Sequence, residues 1–251
     1  MRNIKVILEY DGSSYYGWQR QPRHPTVQEL VENGLYRLFK DRIKVRAAGR
    51  TDAGVHAEGQ VINFLTSSSI PAPAIRPALN SYLPADVKVK KAQEVRLNFH
   101  AQKSASSRLY RYIIYNHPFP SPFYRNFSWH VPFSLQVENM REGSRHLVGR
   151  HDFSSFLTQG SPVCSPVREI KKVVFFIKGR LIVIYVRADS FLYRMVRNII
   201  GTLVQVGRGS LSPTEVKKIL DARDRAAGGP TAPPQGLCLV RVRYPPCSLN
   251  D

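Results

Sequence analysis

Cysteine is nearly absent from this chain. Cys164, Cys238 and Cys247 are odd in number and never fall in a C-x-x-C spacing, which excludes a disulfide framework and the usual zinc sites. Reduced thiols in a cytoplasmic-type compartment are expected, and Met1-Arg-Asn-Ile-Lys5 runs straight into a strand-like segment with no sign of a signal peptide. Apolar runs long enough to span a bilayer are missing, as is any basic amphipathic helix with exposed aromatics, so no membrane role is expected. No dinucleotide fingerprint occurs. His146, His151 and Asp152 match no usual zinc spacing and lack a fourth ligand, so neither metal nor other cofactor is expected. Acidic side chains are scarce too: 18 Asp and Glu stand against 37 Lys and Arg, a net charge of +19.

That surplus is spread along the chain. Up to Ser104 there are 16 basic and 9 acidic residues, and beyond it 21 and 9. A folded protein this basic in both parts is suited to a polyanion, because phosphate contacts release counterions and reward Lys and Arg. With membranes set aside, nucleic acid is the expected partner.

Periodicity outlines two similar halves. Ile4–Tyr10 is β-prone and ends at the turn pair Asp11-Gly12. Thr26-Val-Gln-Glu29 fits a capping box, and Val27, Leu30, Val31, Leu35, Leu38 and Phe39 then share a helical face. Strands are predicted over Ile43–Ala48, Gln60–Thr66 and Asp86–Val95, with a Pro-punctuated helix around Ala74–Leu83. The order is β-α-β-β-α-β, the ferredoxin-like pattern. The second half repeats it: a strand at Arg108–Asn116, a helix near Ser134–Val148, a hairpin of Arg168–Lys178 and Leu181–Arg187, a strongly amphipathic helix at Phe191–Val206, and a strand at Leu237–Tyr244. An extra helix opens at Ser212-Pro-Thr-Glu215, a second capping box. The expected fold is α+β, with halves 1–104 and 105–251. Long irregular stretches at Ser13–Pro25, Ala47–Gly59, His117–Phe133, Gln159–Val167 and Ala226–Gln235 are candidate functional loops.

Among these, Gly49-Arg50-Thr51-Asp52-Ala53-Gly54-Val55-His56-Ala57 is the richest in chemistry. Its two glycines permit a tight or left-handed backbone that a partner can approach closely. Arg50 either supports an ionised Asp52 or binds phosphate. Taken alone, R-x-D reads first as an Asx-turn beside a solvated arginine.

The loop does not stand alone. Gly49–Val61 reproduces G-R-T-D-A-G-V-H-A-x-G-Q-V. Tyr10-Asp-Gly, Gly17-Trp-Gln, Thr26-Val-Gln, Asn98-Phe-His-Ala, Tyr110-Arg-Tyr, Leu147-Val-Gly-x-His-Asp-Phe, Phe191-Leu-Tyr-Arg-Met-Val-Arg-Asn, Gly201-Thr-Leu, Thr231-Ala-Pro and Gly236-Leu follow in order. In these motifs, which cover nearly the whole chain, the sequence resembles the TruA family of tRNA pseudouridine synthases. One departure is Gln102, where the family usually has Arg after Phe99-His100-Ala101; it affects a peripheral RNA contact, not the chemistry.

The resemblance implies two ferredoxin-like halves whose sheets join, a catalytic cleft between them, a homodimer, and anticodon-arm uridines 38, 39 and 40 of tRNA as substrate. It maps Asp52 to the catalytic nucleophile, Tyr110 to the tyrosine packed on the target base, Arg197 to the partner of the carboxylate, and Arg50 to the arginine that helps displace the target nucleotide. These residue types suit the task. Isomerisation breaks a C–N glycosidic bond and rejoins the uracil through carbon, with nothing oxidised or hydrolysed, so one carboxylate suffices. Attack at C1′, attack on the base and removal of a 2′ proton are all compatible with it. Reaching the base requires unstacking, which calls for an aromatic and a cation.

Without the resemblance, Tyr110 reads as a core strand aromatic, Arg197 as a solvated helix residue, and Trp18 with Gln19 as loop packing. Two other functions fit less well. A non-catalytic RNA-binding module of ferredoxin-like fold calls for an R-G-F-G-F-type strand that is missing, and a metal nuclease needs carboxylates clustered near Asp52, where only Glu58 is found.

Overall fold

Ten strands and five α-helices alternate through residues 1–158 and 165–246, the residues that the computed structural model describes. In chain order they are β1 (Arg2–Tyr10), α1 (Val27–Phe39), β2 (Arg46–Ala47), β3 (His56–Thr66), α2 (Ala72–Asn80), β4 (Val87–Val95), β5 (Ser107–Asn116), β6 (Trp129–Val131), α3 (Val137–Arg145), β7 (Gly149–Asp152), β8 (Val167–Lys178), β9 (Leu181–Ala188), α4 (Met195–Arg208), α5 (Glu215–Ala222) and β10 (Leu237–Arg243). The protein is α+β. Two contact units organise it, Met1–Arg108 with the chain from Cys238 on, and Leu109–Leu237.

In the first unit the strands lie in the order β4-β1-β3-β10. β1 is antiparallel to both β3 and β4. β2 pairs with β3 at Ile62 and Asn63, and β10 runs parallel to β3 at His56 and Ala57. Ile4, Val6 and Leu8 are fully buried, each burial contributing roughly 1.5–3 kcal/mol. Helices α1 and α2 come close where Gly34 faces Leu79; a methyl group on Gly34 would lie 2.8 Å from the leucine side chain. A buried polar knot ties the Asn98-Phe-His-Ala segment to the sheet. The Asn3 amide donates to the Phe99 carbonyl at 2.9 Å, that of Asn63 to Asn3 Oδ1 at 2.9 Å, and the Ala101 amide to Asn63 Oδ1 at 2.8 Å. That motif is architectural.

The second unit has β5-β9-β8-β7 with β6 parallel to β5. The β8–β9 hairpin forms as expected around Gly179, whose φ of +57° meets the turn. Helix α3 packs on α4 where Gly207 meets Met140, and on α5 where Gly143 meets Val216.

Several element ends differ from the sequence expectation. At α1 the capping box does not close: Thr26 makes no side-chain cap and its hydroxyl is buried without a partner. The first-turn amides are already taken, that of Val27 by the Gly17 carbonyl at 3.2 Å and that of Gln28 by Trp18 at 3.0 Å, while Glu29 is drawn to Arg20 at 3.1 Å. At α5 the acidic arm of the box does form. The Ser212 amide donates to Glu215 Oε2 at 2.6 Å and holds that carboxyl below its ordinary range. Strand β3 starts at His56 rather than Gln60, because β10 supplies it with a partner there. Only Arg46–Ala47 of the expected strand Ile43–Ala48 pairs. Helix α4 starts at Met195, not Phe191, because Arg194 adopts φ +58°; Leu192 continues the apolar stripe without being helical.

Cys238 is buried and forms no disulfide. Cys164, Cys247 and most of the stretch Gln159–Val167 lie outside the described residues. Among the described residues no helix is long and apolar enough to cross a membrane.

Candidate active site

The stretch from Ala48 to Val55, between β2 and β3, is fixed from several directions. At its entrance the Ala48 amide bonds the Val61 carbonyl at 2.8 Å. Arg108, only 9% exposed, donates from Nη2 to the carbonyls of Ala48 at 2.9 Å and Gln102 at 2.8 Å. Gln60 Nε2 donates to the Gly49 carbonyl at 2.7 Å. Beneath the loop, the Tyr10 hydroxyl and Thr51 Oγ1 are hydrogen-bonded at 2.9 Å in full burial. That burial pushes the Tyr10 phenol far above its ordinary range, although hydrogen bonds with Thr51 and Gln60 pull the other way. Tyr10 therefore acts as a neutral strut.

From the side, loop 11–18 clasps the same backbone. Trp18 N–H donates to the Thr51 carbonyl at 2.9 Å and Gly54 N–H to the Tyr15 carbonyl at 3.2 Å. The Gly12 amide donates to His56 Nδ1 at 3.0 Å. Only glycine allows this proximity at Gly17: its φ is +86°, and a methyl group there would lie 2.5 Å from the Thr51 carbonyl oxygen. Trp18 is 2% exposed, so it serves loop packing, the reading it has without the resemblance.

On this mount Asp52 is half-buried and Arg50 is exposed. An Asx-turn would direct the Asp52 carboxylate to the amide two residues on. That amide, Gly54 N–H, is engaged by Tyr15 instead. With that amide taken, the loop is held by the bonds from Trp18, Tyr15, Tyr10 and Gln60 and not by an Asx-turn at Gly54. Of the two loop glycines, Gly54 needs its freedom, with φ +75°; Gly49 faces open space and has no such need.

Tyr110 and Arg197 belong to the second unit. Tyr110, on β5, is buried with its ring edge-on to Phe191 at 5.1 Å between centroids. Arg197, in the first turn of α4, is 9% exposed, contrary to the solvated reading. Its Nε donates to the Ala232 carbonyl at 2.7 Å, and the Ala232 amide returns a bond to the Arg197 carbonyl at 3.1 Å. The guanidinium also acts on Tyr112: burial raises that phenol strongly, and the charge of Arg197 partly offsets it. The loop 229–233 is latched further to α4 by Thr231 Oγ1 donating to Asn198 Oδ1 at 2.7 Å, and to β5 by the Tyr112 hydroxyl donating to the Pro233 carbonyl at 2.8 Å. The Thr231-Ala-Pro motif thus positions the Arg197 turn.

Sequence reasoning missed Tyr10, Gln60 and Arg108 as supports of the Asp52 loop. The only signal was that Tyr10 and Gln60 fall inside quoted motifs; Arg108 gave none. His146, His151 and Asp152 form no metal site. His151 Nε2 meets the Val148 carbonyl at 3.0 Å, and Asp152 accepts the Ser154 amide at 2.9 Å. Among the described residues no three His, Cys, Asp or Glu gather where a metal could bind. Gln102, the departure from the family pattern, is exposed and contributes its backbone carbonyl to Arg108.

Comparison with known proteins adds independent findings. A family model described as tRNA pseudouridine synthase matches residues 6–102 and 144–245. The chain is 49% identical to tRNA pseudouridine synthase A of Moorella thermoacetica over 243 residues, 96% of this chain and 99% of the relative. It is 46% identical to the protein of the same name from Geobacter sulfurreducens, over 97% of this chain and all of that one. Among solved structures, the archaeal box H/ACA sRNP Nop10-Cbf5 complex aligns with TM-score 0.39 at 12% identity; the alignment spans 98% of this chain and 49% of that one.

Proposed function

Because this chain belongs to the TruA family of tRNA pseudouridine synthases and therefore isomerises uridine to pseudouridine in tRNA, we propose that its targets are uridines 38, 39 and 40 of the anticodon arm, with Asp52 as the catalytic nucleophile. The observation that carries the assignment is the mount of Asp52. The carboxylate stands half-buried on a backbone held by Tyr10, Trp18, Tyr15 and Gln60. A preorganised carboxylate of this kind suits covalent or general-base work at the sugar. In the reaction the C1′–N1 bond breaks, C1′ bonds to C5, the C5 proton leaves, and N1 gains a proton. Atoms and charge balance without a redox partner. Mapping pseudouridine in tRNA incubated with the purified chain tests the proposed positions. Product at 38–40 is expected, and product confined to another arm would overturn the assignment.

Tyr110, Arg197 and Arg50 take the roles that the family motif gives to these positions: stacking on the target base, pairing with the catalytic carboxylate, and helping to displace the nucleotide. Burial of Tyr110 against Phe191 and of Arg197 against Ala232 supports fixed side chains at both positions, and exposure of Arg50 suits an RNA contact. The three roles separate kinetically. Tyr110→Phe is expected to keep tRNA affinity but lose roughly 10-fold or more in turnover through its hydroxyl. Arg197→Lys should lose turnover more than affinity, and Arg50→Ala should raise KM. A loss of turnover that merely tracks affinity at Arg197 would make it a phosphate contact. Wild-type turnover in Tyr110→Phe would leave that ring a packing role. The enzyme is also proposed to act as a homodimer, which its mass in solution tests.

A further inference from the structure

Loop 13–25 is more ordered than its composition suggests. Tyr16 N–H donates to the Pro25 carbonyl at 2.9 Å, Gln21 Nε2 donates to the Tyr16 carbonyl at 2.8 Å, and Gln21 pairs with His24 as an antiparallel bridge. The rings of Tyr16 and His24 stack at 4.0 Å with 20° between planes, and Tyr16 remains 49% exposed. Between the bridged residues, Pro22-Arg23 forms the tip of the turn. Its other end, Gly17-Trp18, is the clasp on Thr51 and Asp52.

Arg23 is the anomaly. Its φ is +65°, in the third position of a turn where Gly or Asn would sit without strain. Among the described residues three other non-glycine residues have positive φ: Lys40, Arg194 and Arg223. Lys40 and Arg223 cap the C-termini of α1 and α5, where the left-handed conformation is usual, and Arg194 sets the start of α4. Arg23 ends no helix and starts none. Nor does its side chain repay the strain within the fold, since it is exposed and makes no hydrogen bond or ion pair among the described residues. Nearby Arg20 behaves differently, lying 3.1 Å from Glu29 and 3.9 Å from Glu32. Strain without an internal return points outward, to a ligand. A guanidinium beside an exposed ring stack matches the chemistry of a phosphate with its adjoining nucleotide.

We propose that the Gln21–His24 turn is a substrate-docking site, at which Arg23 pairs with a tRNA phosphate and the Tyr16–His24 stack carries the adjoining nucleotide. The inference rests on tRNA being the substrate, not on Asp52 being the nucleophile. Being fastened to the catalytic loop, the turn would hold RNA close to the target uridine.

The test is Arg23→Gly, which removes the guanidinium and relieves the backbone at once. Equilibrium binding of tRNA is expected to weaken about three- to tenfold, and the log–log salt slope to fall by roughly 0.7–0.9, the loss of one phosphate contact. The thermal midpoint should stay level or rise, because glycine fits the turn better. Lys178→Ala, which removes one exposed charge from the end of β8, serves as the comparison and should change affinity less than about twofold. Wild-type affinity and slope in Arg23→Gly would overturn the proposal. So would a lowered midpoint, which would assign the arginine to the fold, or an equal loss in Lys178→Ala, which would reduce the effect to net charge. Affinity is read without turnover, so an active Asp52→Asn enzyme would refute the catalytic assignment and leave this result untouched.

Discussion

Asp52→Asn is expected to bind tRNA normally and to lose turnover by roughly 10³-fold or more. Asparagine is nearly isosteric, and four bonds that hold the loop are made by other groups: Thr51 to Tyr10, Trp18 to the Thr51 carbonyl, Gly54 to Tyr15, and Gln60 to the Gly49 carbonyl. The backbone should therefore survive the change while the anion disappears. Glu58, the other acid of this stretch, lies within β3 and cannot take the same place on the loop. An aspartate that merely organised a turn would be replaced by asparagine at little cost. Release of tritium from C5 of uridine under single-turnover conditions distinguishes the two. If Asp52→Asn stays within about tenfold of wild type, the carboxylate is not the reacting group.

What the sequence disclosed about this site, and what it hid, divides along one physical line. Signals carried by neighbours in the chain were legible: the amphipathic faces of α1 and α4, the β8–β9 hairpin about Gly179, and the acidic arm of the α5 box. Features decided by partners distant in sequence were not. Thr26 looked like a cap because nothing local showed that Trp18 would take the Gln28 amide or that Arg20 would draw off Glu29. Strand β3 was expected to start late because its first residues owe their pairing to β10, some 180 positions away. Arg197 fell outside the apolar stripe and so read as solvated, yet Ala232 covers it.

The family motif carried what local physics lacked, and the structure supplies reasons for parts of it. Asn98-Phe-His-Ala is held by Asn3 and Asn63, and Thr231-Ala-Pro latches onto α4. In both stretches these bonds maintain local geometry. Gly17-Trp is the same kind of element in the first unit, and it is the part of the motif whose alteration should be felt most directly at Asp52.

Gly17→Ala is accordingly the second large effect expected. The new Cβ would stand 2.5 Å from the Thr51 carbonyl oxygen, 2.9 Å from the Asp52 carbonyl carbon and 3.0 Å from the Ala53 nitrogen, on a residue whose φ is +86°. All three are backbone atoms, so no side-chain rotation relieves the clash and the two loops must part. Left-handed strain and overpacking together should cost about 2–5 kcal/mol. The catalytic consequence should exceed what stability alone implies, because parting the loops breaks the Trp18–Thr51 bond and carries Asp52 with it. A shift of about 1 Å in a reacting group costs on the order of 10²-fold in rate. Gly49→Ala provides the contrast within the same motif. It meets nothing within 4 Å and has no positive φ, so it should remain within about 0.5 kcal/mol and close to wild-type turnover. Both variants are to be assayed in single turnover well below their melting temperatures, with tRNA saturating. A Gly17→Ala enzyme that melts early yet turns over normally would show that the clasp supports the fold without positioning Asp52. Equal losses in the two variants would show that the distances around Gly17 do not govern the site.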